Sequence, residues 1–146
     1  MDAGTDSARL HVACAHCGAV NRVPVVRLGE DPVCGKCGQA LLAGKPIQLT
    51  EANFDAFTAQ TELPVLIDFW APWCGPCVAM APEFERAALE LKGKVIFAKV
   101  NGDENPALSE RFGVRAIPTL LRVEGGKEVK RHAGAVPASK IVALFA

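Results

Sequence analysis

The cysteine pattern constrains this chain more than any other feature. All six cysteines fall into Cys-x-x-Cys pairs: Cys14/Cys17, Cys34/Cys37 and Cys74/Cys77. Sixteen residues separate the first two pairs, and a glycine, Gly18 or Gly38, trails each. The third pair stands apart in Asp68-Phe-Trp-Ala-Pro-Trp-Cys-Gly-Pro-Cys-Val-Ala-Met80, after an apolar run and at the start of a helical pattern. Cysteines three apart at a helix start share one face and lie within disulfide reach. Cys74 and Cys77 are therefore a candidate redox pair.

Length and composition bound the rest. A chain of 146 residues holds one domain, or one domain plus a small module. Apolar residues make up 50% and charged residues 22%, as in soluble globular proteins. Sixteen charges of each sign call for neither nucleic acid nor an acidic membrane as partner. The N-terminus lacks the basic start and apolar core of a secretory signal. No apolar run is long enough to span a bilayer; Val65–Trp70 is the densest, and Asp68 interrupts it. The expectation is a cytoplasmic monomer with no membrane and no nucleic-acid partner. In a reducing compartment, paired cysteines favour metal or redox roles over structural disulfides.

Residues 1–45 are expected to form a small module behind a polar N-terminal tail, and residues 46–146 the main domain. Cys14, Cys17, Cys34 and Cys37 have the spacing of a four-cysteine zinc site, with two tight turns each offering two thiolates to one tetrahedral ion. The trailing glycines let the backbone turn sharply behind the metal. So short a segment, poor in large apolar residues, would draw its folding free energy from the metal. Two structural disulfides are the alternative. His11 and His16 are expected to face solvent, because the cysteines already fill the site. The segment resembles a zinc ribbon, a module often used to bind nucleic acid or protein. Its five basic residues against four acidic ones are a weak footprint for nucleic acid. Gly44-Lys45-Pro46 reads as the linker.

In the main domain, Ile47–Leu49 reads as a short strand, and Thr50 is placed to cap a helix running to about Gln60. Val65–Trp70 reads as a central strand, apolar on both faces. A helix follows from Cys74 to Leu91, with Val78, Ala81, Phe84, Ala88 and Leu91 at helical spacing. Pro82 inside it removes one backbone hydrogen bond and should kink it. Lys94–Val100 reads as a strand, Asn101–Asn105 as a polar turn and Pro106–Phe112 as a short helix. Thr119–Val123 and Glu128–Arg131 read as a hairpin around Gly125-Gly126. Pro137 opens a final amphipathic helix through Ile141, Val142 and Phe145. This order implies an α/β fold, a central mixed sheet with helices on both faces.

Residues 47–146 resemble thioredoxins, and a zinc ribbon in front makes the chain similar to the bacterial thioredoxin-2 subgroup. Asp68-Phe-Trp-Ala, Trp73-Cys-Gly-Pro-Cys77, Pro82, Lys99, Ile117-Pro118-Thr119 and Gly134 carry the likeness, in family order. The resemblance implies the thioredoxin fold and a protein-disulfide reductase acting by thiol–disulfide exchange. Cys74 would be the nucleophile at a helix N-terminus and Cys77 the more shielded, resolving thiol. Asp68, with a pKa raised by burial, would pass a proton to or from Cys77 through water. Read alone, Asp68 has the alternative of a solvated aspartate on a strand edge, and Lys99, which matches a family lysine near it, reads first as a surface lysine. Pro118 matches the family's cis-proline, whose neighbouring backbone is free to pair with an extended substrate. Trp73, Gly75, Pro76, Ile117, Gly134 and Ala135 would complete the docking surface, while Trp70 belongs to the core. Gly75-Pro76 between the cysteines resembles the reductants of the superfamily. Expected partners are disulfide-containing clients and a flavin- and NADPH-dependent thioredoxin reductase, with one zinc ion and no organic cofactor. Two other readings stay open: a redox-switched zinc module that ejects its metal on oxidation, and a binding adaptor that keeps the redox fold as scaffold.

Overall fold

The computed structural model describes residues 8–146, so the first seven residues of the polar tail lie outside the described residues. Strands β1 (Arg9–Ala13) and β2 (Val20–Pro24) form an antiparallel pair, with Val12 opposite Asn21. The sequence reading placed no strands here, because five-residue segments of mixed polarity carry little alternation.

The larger sheet has five strands in the order β3-β5-β4-β6-β7. These are β3 (Ile47–Gln48), β4 (Val65–Trp70), β5 (Ile96–Asn101), β6 (Thr119–Glu124) and β7 (Lys127–Ala133). Its parallel pairs are β3–β5 and β4–β5, and its antiparallel pairs β4–β6 and β6–β7. The expected mixed sheet is therefore present, with β4 in the centre. At the β6–β7 turn both glycines have positive φ, 60° at Gly125 and 86° at Gly126, the backbone that a two-residue hairpin requires.

Helices cover both faces. Helices α2 (Gly75–Glu90) and α4 (Ala138–Phe145) enclose Met80, Phe84, Ala87, Ile141 and Phe145 against Leu66, Phe97 and Leu120. On the other face α1 (Phe54–Gln60) and α3 (Pro106–Arg111) bury Phe54, Phe57 and Leu108 against Ile67, Phe69, Val100 and Leu121. Alternation along β4 thus sends Leu66 and Asp68 toward α2, and Ile67 and Phe69 toward α1.

One local expectation is corrected. Helix α2 turns Cys77, Met80, Phe84, Ala87 and Ala88 inward and leaves Val78 54% exposed, so Val78 is not a core residue. Helix α2 runs as one element from Gly75 to Glu90, with Pro82 exposed inside it. Thr50 caps the turn that opens α1, its carbonyl accepting the Phe54 N–H at 2.9 Å. The helix itself begins four residues later, and Thr50 closes that turn, its N–H donating to Asn53 Oδ1 (2.7 Å) and its hydroxyl accepting from Ala52 N–H (3.2 Å).

The two sheets share one core. Val12, Ala13, Val23, Leu41 and Leu42 pack in the same buried cluster as Phe54, Phe57 and Leu63. The outer edge of β1 is bonded by the segment after α1: Glu62 N–H donates to His11 O (2.8 Å), and Ala13 N–H donates to Thr61 Oγ1 (3.1 Å). Lys92 pairs with Asp31 across the same junction. At Gly93 (φ 79°) a Cβ would lie 2.9 Å from Leu28 O, so only glycine lets the chains approach this closely.

Candidate redox and metal centres

Cys74 is the N-cap of α2 in extended conformation, and Pro76 follows at a position where a missing N–H costs nothing. Its Sγ accepts the Cys77 N–H at 3.2 Å, a bond from the helix's first turn that favours a thiolate at that sulfur. Cys74 and Cys77 are joined as a disulfide with a Cα–Cα distance of 5.3 Å. Shielding barely distinguishes them, at 4% and 2% exposed. The asymmetry between them is electrostatic instead, one sulfur at the helix terminus and the other one turn in.

Around this pair the outward positions carry no charge. Pro72, Trp73, Gly75, Pro76, Val78 and Ala79 are exposed. Trp73 is 71% exposed, and its indole N–H donates to Asp103 Oδ2 (2.7 Å), which fixes the ring above the surface. Asp103 was invisible to the sequence reading, which saw only a polar turn thirty residues away. Across the pair, the Ile117–Pro118 bond is cis, and Ile117 O lies 3.7 Å from Cys74 Sγ. Pro118 is buried, and its carbonyl accepts from Gly134 N–H (2.8 Å), which brings the 117–118 and 134–135 segments together. Gly134 and Ala135 are exposed and Ile117 is half-buried. Trp73, Gly75 and Pro76 therefore flank the disulfide and Ile117 lies across it, with Gly134 and Ala135 exposed beside the buried Pro118.

Asp68 is 1% exposed, and neither carboxylate oxygen meets a hydrogen-bond donor among the described residues. Desolvation pushes its pKa up to about 7, against the opposing pull of the Lys99 ammonium. Lys99 is its register partner on β5 and Leu120 its partner on β6. The side chain of Lys99 is half-buried, with Nζ 4.3 Å from the centre of the Trp70 ring. The solvated-edge reading of Asp68 is excluded by its burial in the central strand.

The second centre joins the two remaining pairs. The four sulfurs of Cys14, Cys17, Cys34 and Cys37 lie within 4.8 Å of one another. Across the turns, Cys14 Sγ is 3.7 Å from Cys37 Sγ and Cys17 Sγ 3.6 Å from Cys34 Sγ. A tetrahedral zinc with bonds of 2.3 Å separates its sulfurs by about 3.8 Å, so the donors fit that ion. The two turns are built alike. Gly18 N–H donates to Cys14 O and Gly38 N–H to Cys34 O, both at 2.9 Å, with φ of 80° and 79° at the glycines. Thiols this close oppose one another's ionisation. Cys34 is drawn down to about 6 by the Cys37 N–H, helped by Asn21 and Lys36. Cys37 is pushed up to about 11, the downward pull of Gln39 N–H being outweighed by desolvation and the neighbouring sulfurs. A divalent cation at their centre removes that conflict. His11 and His16 are exposed and outside the cluster.

Comparison with known proteins agrees with both centres. A family model described as Thioredoxin matches residues 45–146, and a zinc-ribbon model described as Thioredoxin 2, N-terminal, matches residues 13–39. The chain is 50% identical over 125 residues to Thioredoxin C-3 of Corynebacterium nephridii, covering 86% of each. It is 44% identical over 99 residues to a thioredoxin of Chlorobaculum thiosulfatiphilum, covering 68% of this chain and 92% of that one. With Thioredoxin 2 of Chlorobaculum tepidum it shares 43% over 100 residues, at the same coverage. A disulfide pair at the head of α2, in a domain matched from end to end, places this chain in the thioredoxin family, the thiol–disulfide oxidoreductases, with an N-terminal ribbon of the thioredoxin-2 kind.

Proposed function

We propose that the chain is a protein-disulfide reductase in which Cys74 attacks and Cys77 resolves. The Cys74 thiolate attacks one sulfur of a client disulfide; that bond breaks, and the leaving client thiolate takes up a proton. The mixed disulfide is then attacked at Cys74 Sγ by Cys77, whose proton passes to the Asp68 carboxylate. The second client thiol leaves, the Cys74–Cys77 disulfide forms, and the client has gained two electrons. The observation that carries this reading is the bond from Cys77 N–H to Cys74 Sγ, which supports Cys74 as the sulfur better able to bear a thiolate. With Gly75-Pro76 between the cysteines no imidazolium stabilises that thiolate further, which favours donating electrons over withdrawing them. Trp73, Gly75, Pro76, Ile117, Gly134 and Ala135 dock the client over Pro118, and Lys99 tempers the charge on Asp68. A flavin- and NADPH-dependent reductase would return the pair to the dithiol, and a monomer working in the cytoplasm fits this cycle. Replacing Cys74 by serine should abolish insulin reduction; retained turnover would sink the assignment.

Cys14, Cys17, Cys34 and Cys37 would hold one zinc ion, which supplies folding free energy to a module spanning residues 1–45 and takes no part in electron transfer. A second reading has one observation in its favour. Cys17 and Cys37 are exposed, and sulfurs from opposite turns lie 3.6–3.7 Å apart, so oxidation could join the turns and expel the metal. Zinc release measured under mild peroxide separates the two: release at oxidant levels that oxidise Cys74 supports the switch, and retention leaves the ion structural.

A further inference from the structure

We propose that Asn21 is the outer-sphere residue of the four-cysteine centre, holding the Cys34 turn against the first sheet and slowing metal loss through a hydrogen bond to Cys34 Sγ. The proposal rests on reading the four cysteines as a metal site. Asn21 lies half-buried on β2, opposite Val12. Its Oδ1 accepts the Gly35 N–H at 2.8 Å, and its Nδ2 donates to Ala19 O (3.3 Å) and Cys34 Sγ (3.5 Å). The orientation is fixed by chemistry, since a backbone N–H can only donate and the amide oxygen must face Gly35. Among the described residues no other side chain, the cysteines apart, is bonded to the Cys34 turn.

The two turns differ in the donors to their first sulfur. His16 N–H reaches Cys14 Sγ and Lys36 N–H reaches Cys34 Sγ, both at 3.4 Å, but Cys34 alone receives a side-chain donor as well. Outer partners of this kind orient a ligand and typically carry about 10–100-fold in metal affinity. They also occupy a sulfur lone pair that a proton or oxidant would otherwise attack.

The test compares zinc-loaded full-length wild type with Asn21→Asp and Asn21→Ala. The aspartate keeps an acceptor for Gly35 N–H but turns an oxygen toward the sulfur; the alanine loses both bonds. Zinc release to excess EDTA should be about tenfold or more faster in both variants. The thiolate-to-metal charge-transfer band of the cobalt forms should shift, and site-resolved alkylation should reach the Cys34/Cys37 turn before the Cys14/Cys17 turn. Insulin reduction should stay unchanged, reporting an intact redox half. Wild-type release from the aspartate variant overturns the bond to sulfur, whatever the alanine does. Simultaneous alkylation of all four cysteines signals collapse of the module and overturns a local role. A wild-type chain that retains no zinc would remove the metal reading, and this proposal with it.

Discussion

Asp68 lies in the central strand with no donor to meet its carboxylate among the described residues, so the folded state bears the cost of ionising it. Its pKa rises from an ordinary 3.8 to about 7 on folding. A folded pKa raised above the unfolded one contributes stability that is fully present below about pH 4 and lost as pH rises through about 7. The loss is on the order of a few kcal/mol. Glu62, Glu83 and Glu128 shift the other way, held down by His11, Ala138 N–H and Arg131 in turn. Their contributions are present above the ordinary 4.5 and vanish only as pH falls below it, outside the window of Asp68. Urea unfolding of the oxidised protein should therefore show lower stability at pH 8 than at pH 5, and Asp68→Asn should flatten the difference. An unchanged slope in the variant would show that Asp68 is ionised without penalty. The sequence alone showed a carboxylate in an apolar strand; its isolation depended on what β5, β6 and α2 place around it.

At the scale of elements, helix α2 carries the chemistry at its first turn and the core along one face. Helical spacing correctly selected Phe84, Ala88 and Leu91 but also Val78, because two adjacent stripes of the helix are apolar and only packing decides between them. Phe84 is fully buried, its ring centre 4.8 Å from that of Phe97. Phe84→Ala should cost about 3–5 kcal/mol in unfolding free energy, while Val78→Ala should stay within about 0.5 kcal/mol. A comparable loss at both positions would contradict the assignment of faces. The larger strands were legible from apolar runs and turn residues. Strands β1 and β2 were not, since their stability comes from contacts with α1 and from the cysteine turns rather than from their own alternation.

For the whole molecule, what the sequence could not show is that the two sheets share a core. The docking depends on contacts distant in sequence, His11 with Glu62 and Gly93 against Leu28. Gly93→Ala forces a Cβ onto the Leu28 carbonyl, whereas Gly113, also at positive φ, faces open space. The first substitution should therefore cost at least about 1 kcal/mol more than Gly113→Ala, read from urea midpoints; equal costs would mean that the junction gives way freely. The function proposed above has one set of cysteines exchange electrons and the other hold the fold. Counting metal and accessible thiols on the reduced, full-length protein tests that division most directly. The account predicts one zinc per chain and two alkylated thiols, Cys74 and Cys77, with Cys14, Cys17, Cys34 and Cys37 protected until a chelator is added. A metal-free chain whose ribbon cysteines alkylate as readily as Cys74 would contradict it.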